Sequence, residues 1–215
     1  MINIFCVNTG TTQSFPEGMT LMEMLPSFNI QSEYPIIAAK VNNVTQGLKY
    51  RAFNSRQVEF IDYSSYAGRS VYCSSLCFLL CKAVLDEFPQ GKIVLRRPIS
   101  KGYFCAVDKG DETALTQADI DAIVERMKAL VEQDMPFRRY EVKTDEAISM
   151  FEQMGYSDKV KLLQTSGDLY TNYYTVGDTA DYYYEALVPS TGYLKVWGLM
   201  KYRDGLLLRV PDRHA

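Results

Sequence analysis

Histidine is almost missing from this chain. The one example, His214, lies beside the end of 215 residues, which leaves no imidazole pair for a metal and no ready base for a serine or cysteine nucleophile. An excess of basic charge is missing as well: 23 Lys and Arg stand against 26 Asp and Glu, a formal net charge of −3. No global field draws a polyanion, so any nucleic-acid contact has to be local. The longest unbroken apolar run, residues 76–81, is far shorter than the roughly 20 residues that cross a bilayer. The opening MINIFCVN has neither the basic stretch nor the apolar block of a secretory leader. A cytoplasmic protein without membrane contact is expected. The cysteines Cys6, Cys73, Cys77, Cys81 and Cys105 are odd in number and sparse for a disulfide scaffold, which fits free thiols in a reducing compartment. Phosphate and calcium loops are lacking: Gly91-Lys92-Ile93 has no upstream glycine and no following hydroxyl, and Asp108, Asp111 and Glu112 have the wrong spacing. No cofactor, internal repeat or low-complexity tract is expected.

What is present is a chain long enough for two unequal domains, 47% hydrophobic and 23% charged, with 16 tyrosines as its one compositional oddity. Residues 1–62 read as strand, strand, helix, strand, strand, a sheet gripping one helix. Thr20 and Glu23 have capping-box spacing, and Pro26 limits the helix behind them. The segment between the strands IIAAKV and VEFIDY is rich in turn residues. Residues 63–69, YSSYAGR, make a plausible linker. A helix over 70–88 follows, with Leu76, Leu80 and Val84 at four-residue intervals and Pro89 as its stop. KIVLRRPI and GYFCAV flank a turn at Ser100-Lys101-Gly102. Thr116 caps the clearest helix, on which Ile120, Ile123, Val124, Met127, Leu130 and Val131 share a face. Thr144 caps the next, and residues 168–210 return to tyrosine-rich β structure.

Cys73, Cys77 and Cys81 recur on one helical face. Zinc needs each sulfur at about 2.3 Å, yet eight residues of helix separate the outer two by about 12 Å, so one ion cannot hold all three. Buried packing of small thiols is the simpler reading. Ser74 and Ser75 read as local hydrogen-bonders near the start of that helix. Arg96, Arg97, Lys101, Arg138 and Arg139 fall on or beside strands and would form a ligand- or RNA-contacting patch if those strands were neighbours. The tyrosines at 170, 173, 174, 182, 183, 184 and 193 suit either cross-strand packing or stacking on a base.

Several strings together carry a resemblance. FPEGMTLMEML and AAKVNN in residues 1–62 resemble the TGS domain of threonyl-tRNA synthetases. SVYCSSLCFLLCKAVLDEFP, PISKGYFCAVD, LTQADIDAIVERMKALVEQDMPFRRYEV, DEAISMFEQMGYSDKVKLL and VPSTGYLKVWGL follow in the order of the editing-type domain of the same family. The resemblance covers nearly the whole chain. It implies an α+β protein: a small β-grasp domain over 1–62, a linker over 63–69 and a larger editing-like domain over 70–215.

The departures from that family bear on activity. The family carries two histidines four apart on the first long helix, and later a cysteine and a histidine four apart ahead of the PSTG turn. Here SSLCF puts Ser74 and Phe78 at the first pair, and YYEAL puts Tyr183 and Leu187 at the second. Phe78 and Leu187 can neither bind a metal nor transfer a proton, so the resemblance implies a binding module and not an enzyme. A similar pair of domains precedes the P-loop kinase domain in bacterial uridine kinase-like nucleoside kinases, where a segment like RDGLLLRVPDRH leads onward. This implies a non-catalytic regulatory region with a kinase domain as partner on the same polypeptide. A tRNA-binding or residual editing module of a synthetase-like protein is the alternative.

Overall fold

The computed structural model describes residues 1–99 and 102–212 and shows an α+β chain that divides into two compact units, Met1–Met135 with Glu185–Ala215 and Pro136–Tyr184. Lys101 and His214 lie outside the described residues.

The first unit begins with β1 (Ile2–Cys6), whose alternation buries Ile2, Ile4 and Cys6, antiparallel to β2 (Thr11–Phe15). After β3 (Met19–Thr20) comes α1 (Leu21–Met24). Its start is fixed by the anticipated capping box: Glu23 N donates to Thr20 Oγ1 at 3.3 Å, and Thr20 N donates to Glu23 Oε2 at 2.7 Å. Pro26 ends the α geometry but not the helical run, which tightens into a 3-10 turn over Leu25–Phe28. Then follow β4 (Ala38–Val41), β5 (Val44–Gly47), β6 (Arg51–Ala52) and β7 (Arg56–Ile61). The sheet order is β2-β1-β7-β4-β5, with β1 and β7 parallel. Leu21, Met24 and Phe28 pack into its buried face with Ile4, Leu48 and Val58. The segment read as turn-rich therefore holds two further strands. Asn42 and Asn43, at φ +47° and +67°, make the tight hairpin between β4 and β5.

The long helix α2 (Tyr66–Glu87) starts four residues before the expected position, taking in most of the stretch read as linker. Ser65 explains the early start, because its hydroxyl accepts the Gly68 N–H at 2.9 Å. By length and composition α2 is sufficient to cross a bilayer, although its longest unbroken apolar run is short; 67% of its most apolar stretch is buried inside the protein, as in a core helix. β8 (Lys92–Ile99) pairs antiparallel with β9 (Gly102–Asp108), and α3 (Gln117–Glu132) starts at Thr116 with Ile120, Ile123, Met127 and Leu130 buried as anticipated. Asp86 ties α2 to α3, accepting from Lys82 Nζ and from Arg126, each at 2.7 Å.

The second unit comprises β10 (Arg138–Lys143), α4 (Thr144–Gln153), α5 (Ser157–Ser166), β11 (Tyr170–Val176) and β12 (Thr179–Asp181), with sheet order β10-β11-β12. Ala147, Phe151, Val160 and Leu163 form its core. Thr144 does not cap α4. It is the first helical residue, and its hydroxyl instead bonds Asp168 O at 2.6 Å and Thr171 Oγ1 at 2.9 Å, locking α4 to the entry of β11. Lys159 pairs with the buried Asp181 and lies 4.2 Å from the Tyr156 ring centre.

The chain then completes the first unit with β13 (Gly198–Tyr202) and β14 (Gly205–Arg209), giving a sheet ordered β13-β14-β9-β8. Residues 182–197 form no strand, contrary to the β reading of that tyrosine-rich stretch. Side-chain anchors and isolated backbone bonds, such as Thr191 N–H to Met135 O at 2.9 Å, hold that stretch instead of a strand ladder.

Candidate functional site

The candidate site lies where residues 185–194 run against α2 and the end of α3 in the first unit. Ser75, fully buried, is the anchor. Its hydroxyl donates to Val71 O at 2.7 Å, one turn back, and accepts the Val188 N–H at 2.9 Å. A buried N–H from an irregular segment is thereby satisfied by a helix side chain. One residue before that bond stands Leu187, 3% exposed, and one turn beyond Ser75 on the helix side stands Phe78, at 0%.

Ser70 and Ser74, one turn apart on α2, both donate to Glu185 Oε2, Ser74 at 3.4 Å. The PSTG turn is docked by Thr191, whose N–H donates to Met135 O at 2.9 Å and whose hydroxyl accepts from Met135 N at 2.8 Å. Asp134 holds the same turn through Ser190 Oγ and Gly192 N, the latter at 3.0 Å. Gly192 is required by proximity, since a Cβ there would lie 2.3 Å from the Asp134 carboxylate.

On the sheet side of α2 lie Cys73, Cys77, Tyr103 and Cys105. Burial pushes the Cys73 thiol up to about 11, with the neighbouring Cys77 adding to the rise, and pushes Cys105 up to about 12. Burial likewise raises Tyr103, hydrogen-bonded to Cys73, to about 12, and Tyr72 to about 12. Tyr72 uses its hydroxyl structurally: it donates to Val196 O at 2.9 Å and accepts from Val196 N at 3.1 Å. The five cysteines are free thiols, and among the described residues no group of three or more His, Cys, Asp or Glu side chains is placed to hold a metal. Neutral, shielded thiols are poor nucleophiles and poor ligands.

Of the four positions singled out by the departures, Ser74, Phe78 and Leu187 belong to the first unit, and Tyr183, half-buried, belongs to the second. Among the basic residues, Arg96 and Arg97 are exposed on β8, whereas Arg138 and Arg139 are exposed on β10 of a different sheet. Strand pairing does not place β8 beside β10. Sequence reasoning missed Glu185 and the Ser75–Val188 bond. Both depend on contacts across more than 110 residues of chain, for which no local pattern exists.

No protein-family model matches the chain. It is similar to the threonine–tRNA ligase of Desulforamulus reducens, 29% identical over 192 residues, which is 89% of this chain and 30% of the relative. It is also similar to the corresponding ligases of Carboxydothermus hydrogenoformans, 27% identical over 87% of this chain and 30% of the relative, and Marinobacter nauticus, 28% identical over 89% and 30%. The chain thus spans about 30% of the length of the curated relatives it matches. These relatives support the ligase-like half of the resemblance, and none of the three bears on the kinase-linked half.

Proposed function

We propose that this chain is a tRNA-binding module of a threonyl-tRNA synthetase-like protein, one that engages the acceptor end of tRNA without hydrolysing an ester there. The observation that carries the reading is the similarity of 89% of the chain to threonine–tRNA ligases, which act on tRNA by name. In this reading residues 1–62 are a TGS-like β-grasp domain, residues 63–69 the connection, and residues 70–215 a degenerate editing-like domain. The five-stranded sheet folded over one short helix supports the first assignment. The absence of hydrolysis rests on side-chain chemistry: Phe78 and Leu187 are buried hydrocarbon where proton transfer would need imidazole. Arg96, Arg97, Lys101, Arg138 and Arg139 supply local positive charge to an otherwise acidic chain. The module works in the cytoplasm and requires no cofactor. A kinase domain on the same polypeptide would be a neighbour of this module and not the source of its binding.

The test is direct. Fluorescence anisotropy with labelled tRNA should show binding that weakens steeply as salt rises, while release of the amino acid from mischarged tRNA stays at the rate in buffer. Failure to bind tRNA at low salt removes the proposal. Hydrolysis above background that is abolished by Ser74→Ala or Tyr183→Phe removes the inert half of it.

A further inference from the structure

The second unit sets an aromatic stack beside Arg138 and Arg139. β10 is an edge strand, and Arg138, Arg139, Tyr140 and Glu141 are all exposed along it. Tyr140 lies opposite Tyr173 of β11, and the two rings stack at 5.3 Å between centres with 20° between planes. Tyr173 is in turn braced edge-on by Phe151 from the core of this unit, at 6.5 Å and 83°. The inner ring is therefore held by packing, while Tyr140, 41% exposed, still offers ring surface to solvent. Strand alternation puts Arg138 on the same face as Tyr140, and Arg139 and Lys143 on the other.

Those three cations matter because they are uncommitted. Several other cations, Lys40, Lys82, Lys109, Arg126, Lys128 and Lys159, are each paired with a carboxylate. Arg138, Arg139 and Lys143 have no carboxylate partner among the described residues, and Glu141 is the only acid on their strand. An exposed, rigidly backed aromatic stack beside unpaired cations has the chemistry for an unpaired nucleotide: a base extends the stack and the adjoining phosphates meet the guanidinium groups.

We propose that Tyr140, stacked on Tyr173, with Arg138 on its own face and Arg139 on the reverse of the same edge strand, is a platform for an unpaired base of single-stranded RNA. Resting on the tRNA reading above, this assigns the platform to the unpaired 3′ end. The variants act on an exposed ring, and Tyr140→Phe keeps the stacking surface while Tyr140→Leu keeps bulk without it. Anisotropy should show Tyr140→Ala and Tyr140→Leu weakening tRNA binding by about tenfold, and Tyr140→Phe leaving it unchanged. Arg138→Gln with Arg139→Gln should flatten the salt dependence by roughly two phosphate contacts. With tRNA trimmed of its unpaired 3′ residues, parent and Tyr140→Ala should bind alike.

If the parent binds tRNA and Tyr140→Ala and Tyr140→Leu bind equally well, the platform is wrong and the tRNA reading stands. If the parent does not bind tRNA, the tRNA reading falls, and a short single-stranded RNA decides the platform: Tyr140-dependent binding keeps it, and no binding removes it. Self-association of the chain that disappears in Tyr140→Ala would give this edge to a second copy and overturn the proposal.

Discussion

Replacing Ser75 by alanine isolates the bond that holds the 185–188 segment to α2. The substitution leaves the Val188 N–H buried with its acceptor gone, and an unsatisfied buried donor costs about 1–3 kcal/mol. Alanine returns roughly 0.5 kcal/mol through its better helix propensity, so a net loss of about 0.5–2.5 kcal/mol is expected. For a chain of this size that is a fall of about 1–10 °C in Tm. Ser74→Ala is the matched control, because that hydroxyl is half-buried and reaches only a solvent-accessible carboxylate at 3.4 Å; its effect should stay within about 0.5 kcal/mol. Urea unfolding followed by the fluorescence of Trp197, the single tryptophan, reads the first unit directly. Equal midpoints for the two variants would refute the reasoning, since the segment would then owe its position to something other than Ser75.

Three more outcomes follow from the same geometry. Asp86→Ala removes the carboxylate shared by Lys82 and Arg126, breaking two ion pairs of 2.7 Å, one of them to a buried ammonium, and should cost about 3 kcal/mol in urea unfolding. Gly192→Ala forces Asp134 away from the PSTG turn at a cost of about 1–3 kcal/mol; a double-mutant cycle with Asp134→Ala should recover much of it, and strict additivity would reject the clash. The raised thiols set an alkaline limit. Cys73 and Cys105 ionise at about 11 and about 12 in the fold against an ordinary 9.0, so the stability they confer is whole below pH 9.0 and is lost as pH climbs towards those values. The urea midpoint should therefore fall between about pH 8 and about pH 10.5, and fall less in Cys105→Ala; an unchanged midpoint would contradict the burial of these thiols.

Local chemistry was readable before any coordinates. The Thr20–Glu23 pair marks the start of α1, and the apolar stripe behind Thr116 becomes the buried face of α3. Both are set within one or two helical turns, where residue spacing and geometry correspond closely. Errors arose where two local codes overlap. Asn42-Asn43 serves a loop or a two-residue hairpin equally well, and only the pairing of Ala38–Val41 with Val44–Gly47 decides between them. Thr144 has the right type for a cap, but its hydroxyl is taken by Asp168 and Thr171 from a later segment. Tyrosines at 182–184 look like strand residues, yet the chain there leaves the sheet after Asp181. Arg96 and Arg97 belong to one sheet and Arg138 and Arg139 to another, an assignment that residue type and spacing do not carry.

The same limit explains how the site itself was read. Ser74 and Phe78 stand one turn apart on α2, close enough in sequence for two ligands to share an ion, and their spacing alone is compatible with such a pair. Burial separates them. Ser74 faces the Glu185 carboxylate at the surface, whereas Phe78 is sealed within the core. An imidazole placed at 78 in this background would be desolvated and held neutral. Returning single residues to the metal-binding pattern would therefore not return the chemistry. The packing around Phe78 and Leu187 belongs to the fold, and in the proposed reading binding falls to groups at the surface: Arg138, Arg139 and the tyrosine stack of β10.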